Sequence, residues 1–133
     1  MAAGDLLPSA PARDKIGVVA TNQAALPVVL TAPEISALPE LRLGGENDVT
    51  HRVLWADEHS SAGILRIPGG QRLGRHTHRA NDHHLWVIEG RVEILGVEIG
   101  PGGYSHVPFG VEHDIDATNT DGCVVYYLYN RSV

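Results

Sequence analysis

From residue 49 to the C-terminus the chain is written in short apolar runs, broken about every eight to twelve residues by glycine, proline or an Asn-Asp pair. The runs are rich in Val, Ile, Tyr and Trp, and the breaks leave no room for a long amphipathic helix. Strands are predicted over Thr50 to Trp55, Ala62 to Ile67, Gln71 to His76, His83 to Glu89, Arg91 to Leu95, Val97 to Ile99, Tyr104 to Val107, Glu112 to Ala117 and Cys123 to Tyr129. An array of this kind closes on itself as an antiparallel sandwich or barrel, so the fold class is all-β.

A chain of 133 residues buries a core of its own and requires neither a disulfide nor a second domain. The single cysteine, Cys123, sits in an apolar run and reads as a small buried hydrophobe. The first forty residues hold five of the eight prolines, so residues 1–40 read as a Pro/Ala-rich N-terminal arm and residues 41–133 as the barrel domain. Disorder is expected over about residues 1–15. Two apolar runs in the arm, Lys15 to Val19 and Leu26 to Leu30, suit edge strands that cover the barrel or a partner subunit.

A net charge of −6 excludes the clustered basic footprint of a nucleic-acid binder. The local exception is the set Arg66, Arg72, Arg75, Arg79 and Arg91, read either as steering an anionic ligand or as solvated arginines on strand ends. The N-terminus lacks a basic and a long apolar region, and no run approaches the ~18 apolar residues of a membrane span. A soluble cytoplasmic protein with no membrane partner is expected.

Residues 70 to 90 concentrate four of the eight histidines: His76, His78, His83 and His84. Neutral imidazole is the commonest protein ligand for first-row transition metals, and side chains at i and i+2 leave one face of a strand, so His76 and His78 share a direction. Asn81-Asp82 is expected to form a turn from which position 83 starts a returning strand. Parity admits only one of the neighbours His83 and His84 to the interior. If His83 faces in, Leu85 and Val87 accompany it, and His84, Trp86 and Ile88 form an outer strip. The same period places Val111, His113, Ile115 and Ala117 on one face and Glu112, Asp114 and Asp116 on the other, aiming His113 into the core.

Two spaced motifs then carry a resemblance. Gly70, His76, His78, position 83 and Gly90 keep the order glycine, five residues, His-x-His, four residues, ligand, six residues, glycine, and Trp86-Val87-Ile88-Glu89-Gly90 resembles its usual ending. Gly102, Pro108, Gly110 and His113 match a second motif of glycine, five residues, Pro-x-Gly, two residues and histidine. In this order the residues, spanning about 63 to 128, resemble the cupin superfamily. They look most like the small single-domain cupins that include zinc-binding anti-sigma-factor domains and dihydroxyacetophenone dioxygenases. The resemblance implies a small antiparallel jelly-roll barrel holding one divalent transition metal per chain, with His76, His78, the position-83 side chain and His113 as ligands. Fe, Zn, Ni, Mn and Cu are candidates, Fe or Zn favoured, and the resemblance and the arm together imply a homodimer. Two positions depart from the pattern: His83 replaces the usual glutamate, and Ala117 stands where an asparagine is usual.

The glutamate-to-histidine change leaves the ion's charge uncompensated, which raises its Lewis acidity and its attraction for an anionic chelating substrate. Four histidines around a six-coordinate ion leave two open positions; around tetrahedral zinc they close the site. The leading expectation is a dioxygenase acting on a small diketone or hydroxyketone. Alternatives are a non-redox Lewis-acid isomerase or polyketide-type cyclase, and a metal-stabilised binding or sensor module. His106 is the weak candidate for a catalytic base. Gln71 and Asp82 read either as an extra ligand and an orienting partner, respectively, or as plain turn residues. Tyr126, Tyr127 and Tyr129 are assigned to packing of the closing strand. His51 and His59, outside the motifs, receive no role.

Overall fold

The computed structural model describes residues 26–43, 47–74 and 81–131. Its elements are a one-turn helix α1 (Ala32–Ser36) and eight strands: β1 (Leu41–Arg42), β2 (Thr50–Ala56), β3 (Ser60–Pro68), β4 (Asn81–Gly90), β5 (Val92–Ile94), β6 (Val97–Ile99), β7 (Tyr104–Val107) and β8 (Gly122–Arg131). Six strands form one antiparallel sheet in the order β1-β2-β3-β8-β4-β7, and β5 and β6 make a hairpin. The closing run, last in sequence, becomes the centre of the sheet because β8 pairs with both β3 and β4.

A second layer faces this sheet. Its regular part is the β5-β6 hairpin, and the rest is irregular backbone stitched by hydrogen bonds: Leu73 N to Ile115 O (3.0 Å), Ala117 N to Gln71 O (2.9 Å) and Glu93 N to Asp116 O (2.8 Å). Val92, Ile94, Ile115 and Ala117 from this layer meet Leu65, Ile67, Leu85, Val87 and Val125 from the sheet in one buried cluster. Alternation along β4 drives this, with His83, Leu85 and Val87 buried and Trp86 exposed.

Several sequence expectations change here. Leu26 to Leu30 is not an edge strand; the segment is exposed and joins no ladder, and Pro27 removes a donor that pairing needs. Over Gln71 to Gly74 only Arg72 makes an isolated bridge, and Gly74 turns to φ +110°; residues 75 and 76 lie outside the described residues. Glu112 to Ala117 likewise contributes bridges at His113 and Asp116, not a strand, and Val111 is exposed, because inward alternation starts only at His113 beyond the Gly110 turn (φ +85°). Asn81 and Asp82 are not a turn but the first residues of β4, opposite Arg131 and Asn130 of β8. The ten-residue partner strand overrides their local turn preference. The run Lys15 to Val19 and the N-terminal part of the arm lie outside the described residues.

One glycine is dictated by the interior. Gly63 of β3 stands directly opposite Tyr127 of β8, and a Cβ there would collide with the Tyr127 hydroxyl and lie 2.5 Å from the Arg52 carbonyl oxygen. The missing side chain makes the space in which the Tyr127 ring crosses the barrel.

Candidate metal centre

His83 comes from the start of β4 and His113 from the irregular second layer, thirty residues later. His83 is 1% exposed and His113 3%. His83 Nδ1 stands 3.3 Å from His113 Nε2, with ring centroids 5.3 Å apart and planes tilted by 33°. The Tyr129 ring, the direct β8 neighbour of His83, packs on it at 4.5 Å.

His113 is oriented by its own backbone neighbourhood. Its Nδ1 lies 3.0 Å from the Val111 carbonyl oxygen, which only accepts, so Nδ1 carries the proton and the Nε2 lone pair points at His83. Burial pushes the His113 pKa down, more than the Val111 bond and the Asp114 charge push it up, so the ring is held neutral. A neutral imidazole whose far N–H is anchored on a carbonyl is in the state a metal ligand requires.

The spacing also suits a shared ion. Two nitrogens each about 2.1 Å from one metal lie ~3.0 Å apart at an octahedral angle and ~3.4 Å apart at a tetrahedral one. The observed 3.3 Å falls between these values. His83 and His113 therefore fit a divalent metal as adjacent ligands. His76 and His78, the other two expected ligands, lie outside the described residues. Among the described residues alone, no group of three His, Cys, Asp or Glu converges.

His84 points to the opposite face. It bonds the Tyr104 hydroxyl through Nδ1 (2.7 Å) and stacks on His106 with centroids 4.7 Å apart. His106 pairs with His84 across β4 and β7 and shares that outer face, so this candidate base does not reach the barrel interior. Asp82 is there too, 3.8 Å from His106 Nε2 and accepting from Phe109 N (3.2 Å). Gln71 turns to Asp48, accepting from its backbone N at 2.6 Å, and is not a ligand of the pair. The expected arginine set is dispersed: Arg66 meets Glu40, Arg91 meets Glu98, and Arg72 meets Asp114 (2.6 Å) and Asp116 (3.3 Å). Arg75 and Arg79 lie outside the described residues. A cleft of about 200 Å³ reaches His113, and its charged lining is Arg72 with Glu93, Glu112, Asp114 and Asp116. Among the described lining residues, four carboxylates stand beside one guanidinium.

One interior residue carried only a weak sequence signal. His51 of β2 is 1% exposed, and its Nδ1 lies 3.0 Å from the Tyr127 hydroxyl. Burial lowers its pKa to about 4. The signal available was parity, since His51 shares a face with Val49, but two residues are too short a pattern to act on.

The fold class follows from these layers: a six-stranded antiparallel sheet packed on a hairpin layer is an all-β jelly roll. Solved structures share it. An RmlC-like cupin from Ralstonia eutropha JMP134 superposes with a TM-score of 0.65 at 13% identity, over 78% of this chain and 70% of that one. The polyketide cyclase RemF from Streptomyces resistomycificus gives 0.63 at 16% identity, over 77% and 80%. A chain of the Rhodobacter sphaeroides SigE complex with anti-sigma ChrR gives 0.60 at 24% identity, over 86% and 65%. No family model and no curated protein matches the sequence itself. Among the described residues, no helix is long and apolar enough to cross a membrane.

Proposed function

We propose that this protein is a metal-dependent cupin enzyme, a dioxygenase of a small chelating carbonyl compound such as a diketone or hydroxyketone, with the ion held by His76, His78, His83 and His113. The observation that carries the reading is the His83–His113 pair, two buried imidazoles 3.3 Å apart, one of them held by Val111 with its lone pair inward. When bound, a divalent ion there would supply a Lewis acid for an enolisable carbonyl and, if it is redox-active iron, a centre through which the substrate's own electrons pass to oxygen. The protein's part is to orient the imidazoles and to keep water out. Leu85, Ile115, Tyr127 and Tyr129 make the surroundings of the pair apolar, which strengthens electrostatic interactions inside. Among the described residues of the cleft, carboxylates outnumber the single Arg72 guanidinium, which disfavours entry of a preformed anion. A neutral compound that loses its proton after binding fits that field better.

The likeness to the polyketide cyclase RemF favours a second reading, a cyclisation, and the SigE–ChrR likeness a third, a metal-stabilised binding module without turnover. Cyclisation needs a proton carrier beside the ion, and His106 and Asp82 lie on the outer face. Elemental analysis of the purified protein, then an oxygen electrode with Fe(II)-loaded protein and a panel of diketones and hydroxyketones, separates the first reading from the other two. Oxygen uptake that depends on both iron and substrate is expected. Bound metal without uptake under any loading rejects the dioxygenase; absence of metal affinity rejects all three.

A further inference from the structure

The metal reading leaves His51 and Tyr127 without a role, although both are buried in the barrel interior. They end a continuous line of rings that starts at a ligand. Tyr129 packs on His83 with centroids 4.5 Å apart, and Tyr127 meets Tyr129 edge-on at 5.5 Å and 85°. From there the Tyr127 hydroxyl crosses the space that Gly63 leaves and stops 3.0 Å from His51 Nδ1 on β2.

The direction of that last bond follows from counting partners. Among the described residues the phenol has no other geometric hydrogen bond; Ser61 lies close enough to pull its pKa down, but Ser61 Oγ and His51 Nε2 are both buried without a bond. A proton on Nδ1 would leave the phenol O–H and the Nε2 lone pair unpaired. A proton on Nε2 leaves only that N–H unpaired, so the phenol donates and Nδ1 accepts. Burial pushes Tyr127 up and His51 down to about 4, so the pair is a protonated phenol against a neutral imidazole throughout the neutral pH range.

We propose that Tyr127 is a redox-active residue, which delivers an electron through Tyr129 to the oxidised metal centre as its proton moves to His51. The proposal rests on the metal reading with iron as the ion. The oxidant is a peroxide. Hydrogen peroxide takes up two electrons and two solvent protons and leaves as two waters; Fe(II) gives one electron and becomes Fe(III). Tyr127 gives the other electron, its O–H bond breaks, and the proton ends on Nδ1 of His51. The protein is left with a neutral phenoxyl and an imidazolium. An oxidised phenol is a far stronger acid than imidazolium, so the transfer runs toward His51 even though burial opposes the charge it gains. The route supplies an electron when no substrate is bound to do so, and it moves the damage away from the ligand imidazoles.

The test is freeze-quench electron paramagnetic resonance of the Fe(II)-loaded full chain mixed with hydrogen peroxide, after competition with a chelator has established that iron is bound. A tyrosyl signal is expected, narrowed by ring-deuterated tyrosine and absent from zinc-loaded protein. Tyr104→Phe and Tyr126→Phe should keep it, Tyr127→Phe should lose it, and His51→Gln, which removes the proton acceptor, should lower its yield at least ~10-fold, with circular dichroism to establish folding. A second measurement needs no interior variant: in Tyr104→Phe protein carrying ¹⁵N-histidine, electron spin-echo modulation from a histidine nitrogen bonded to the radical is expected. Bound iron that peroxide oxidises to Fe(III) without a tyrosyl signal overturns the proposal and leaves the metal centre standing. So does a signal that survives Tyr127→Phe or lacks the histidine nitrogen. Failure to bind iron, which the chelator competition detects by itself, overturns the iron reading and this proposal with it.

Discussion

Titrating His51 should expose how the barrel interior handles a buried imidazole. The folded pKa is lowered to about 4, while an unfolded histidine titrates near 6.5. Between these values the unfolded chain binds a proton that the folded chain refuses, so the His51 contribution to stability is complete above pH 6.5 and is lost as pH falls toward 4. With about 1.4 kcal/mol per pKa unit, lowering the pH from 7 to 5 should cost 1.5–2 kcal/mol through His51 alone, roughly the lower figure if water partly screens the ring. The assay is guanidinium unfolding at half-unit pH steps, for wild type and for His51→Gln. The difference between the two proteins cancels the titration of His83, His113 and the exposed histidines. His51→Gln should be the less stable protein at pH 7 and should lose less stability on acidification. Parallel pH profiles for the two proteins between pH 7 and 5 would refute the reasoning, because the ring would then be equally protonated in both states.

Three further outcomes are expected. Gly63→Ala places a methyl group against the Tyr127 hydroxyl and the Arg52 carbonyl, and should cost about 2–4 kcal/mol, read as a thermal midpoint lowered by roughly 10 °C or more. Cys123, buried with its pKa pushed up to about 11, should not react with a thiol reagent at pH 8 until the protein is unfolded, and rapid native labelling would contradict its burial. His83→Ala and His113→Ala should each weaken metal binding by about 100-fold or more, measured by competition with a chromophoric chelator, and chelation should lower the wild-type midpoint; unchanged affinity in either variant removes that residue from the ligand set.

The strands were legible in the sequence wherever alternation ran long enough to choose a face. β4 and β8 are such cases: the inward positions of His83, Leu85 and Val87, and the outward positions of His84 and Trp86, follow from parity once one residue is placed. Legibility failed where backbone pairing was decided from a distance. Asn81 and Asp82 have turn chemistry yet lie in β4 because β8 extends far enough to pair with them, and Gln71 to Gly74 bonds to Ile115 and Ala117 without a regular ladder. Arg72 stands just before the histidine cluster in sequence, but Asp114 and Asp116, more than forty residues on, claim its guanidinium.

The sequence by itself determined an all-β chain, the inward aim of His113, and that His83 and His84 face opposite ways with Trp86 on the side of His84, because each depends only on local side-chain period. The tertiary structure decided which inward residues meet. It brought His83 within 3.3 Å of His113, set the Tyr127 hydroxyl against His51 across the space that Gly63 leaves, and sent His106 to the outside with His84. Those outcomes depend on strand order and register. Both are set by packing the whole core at once, and no local pattern carries that information.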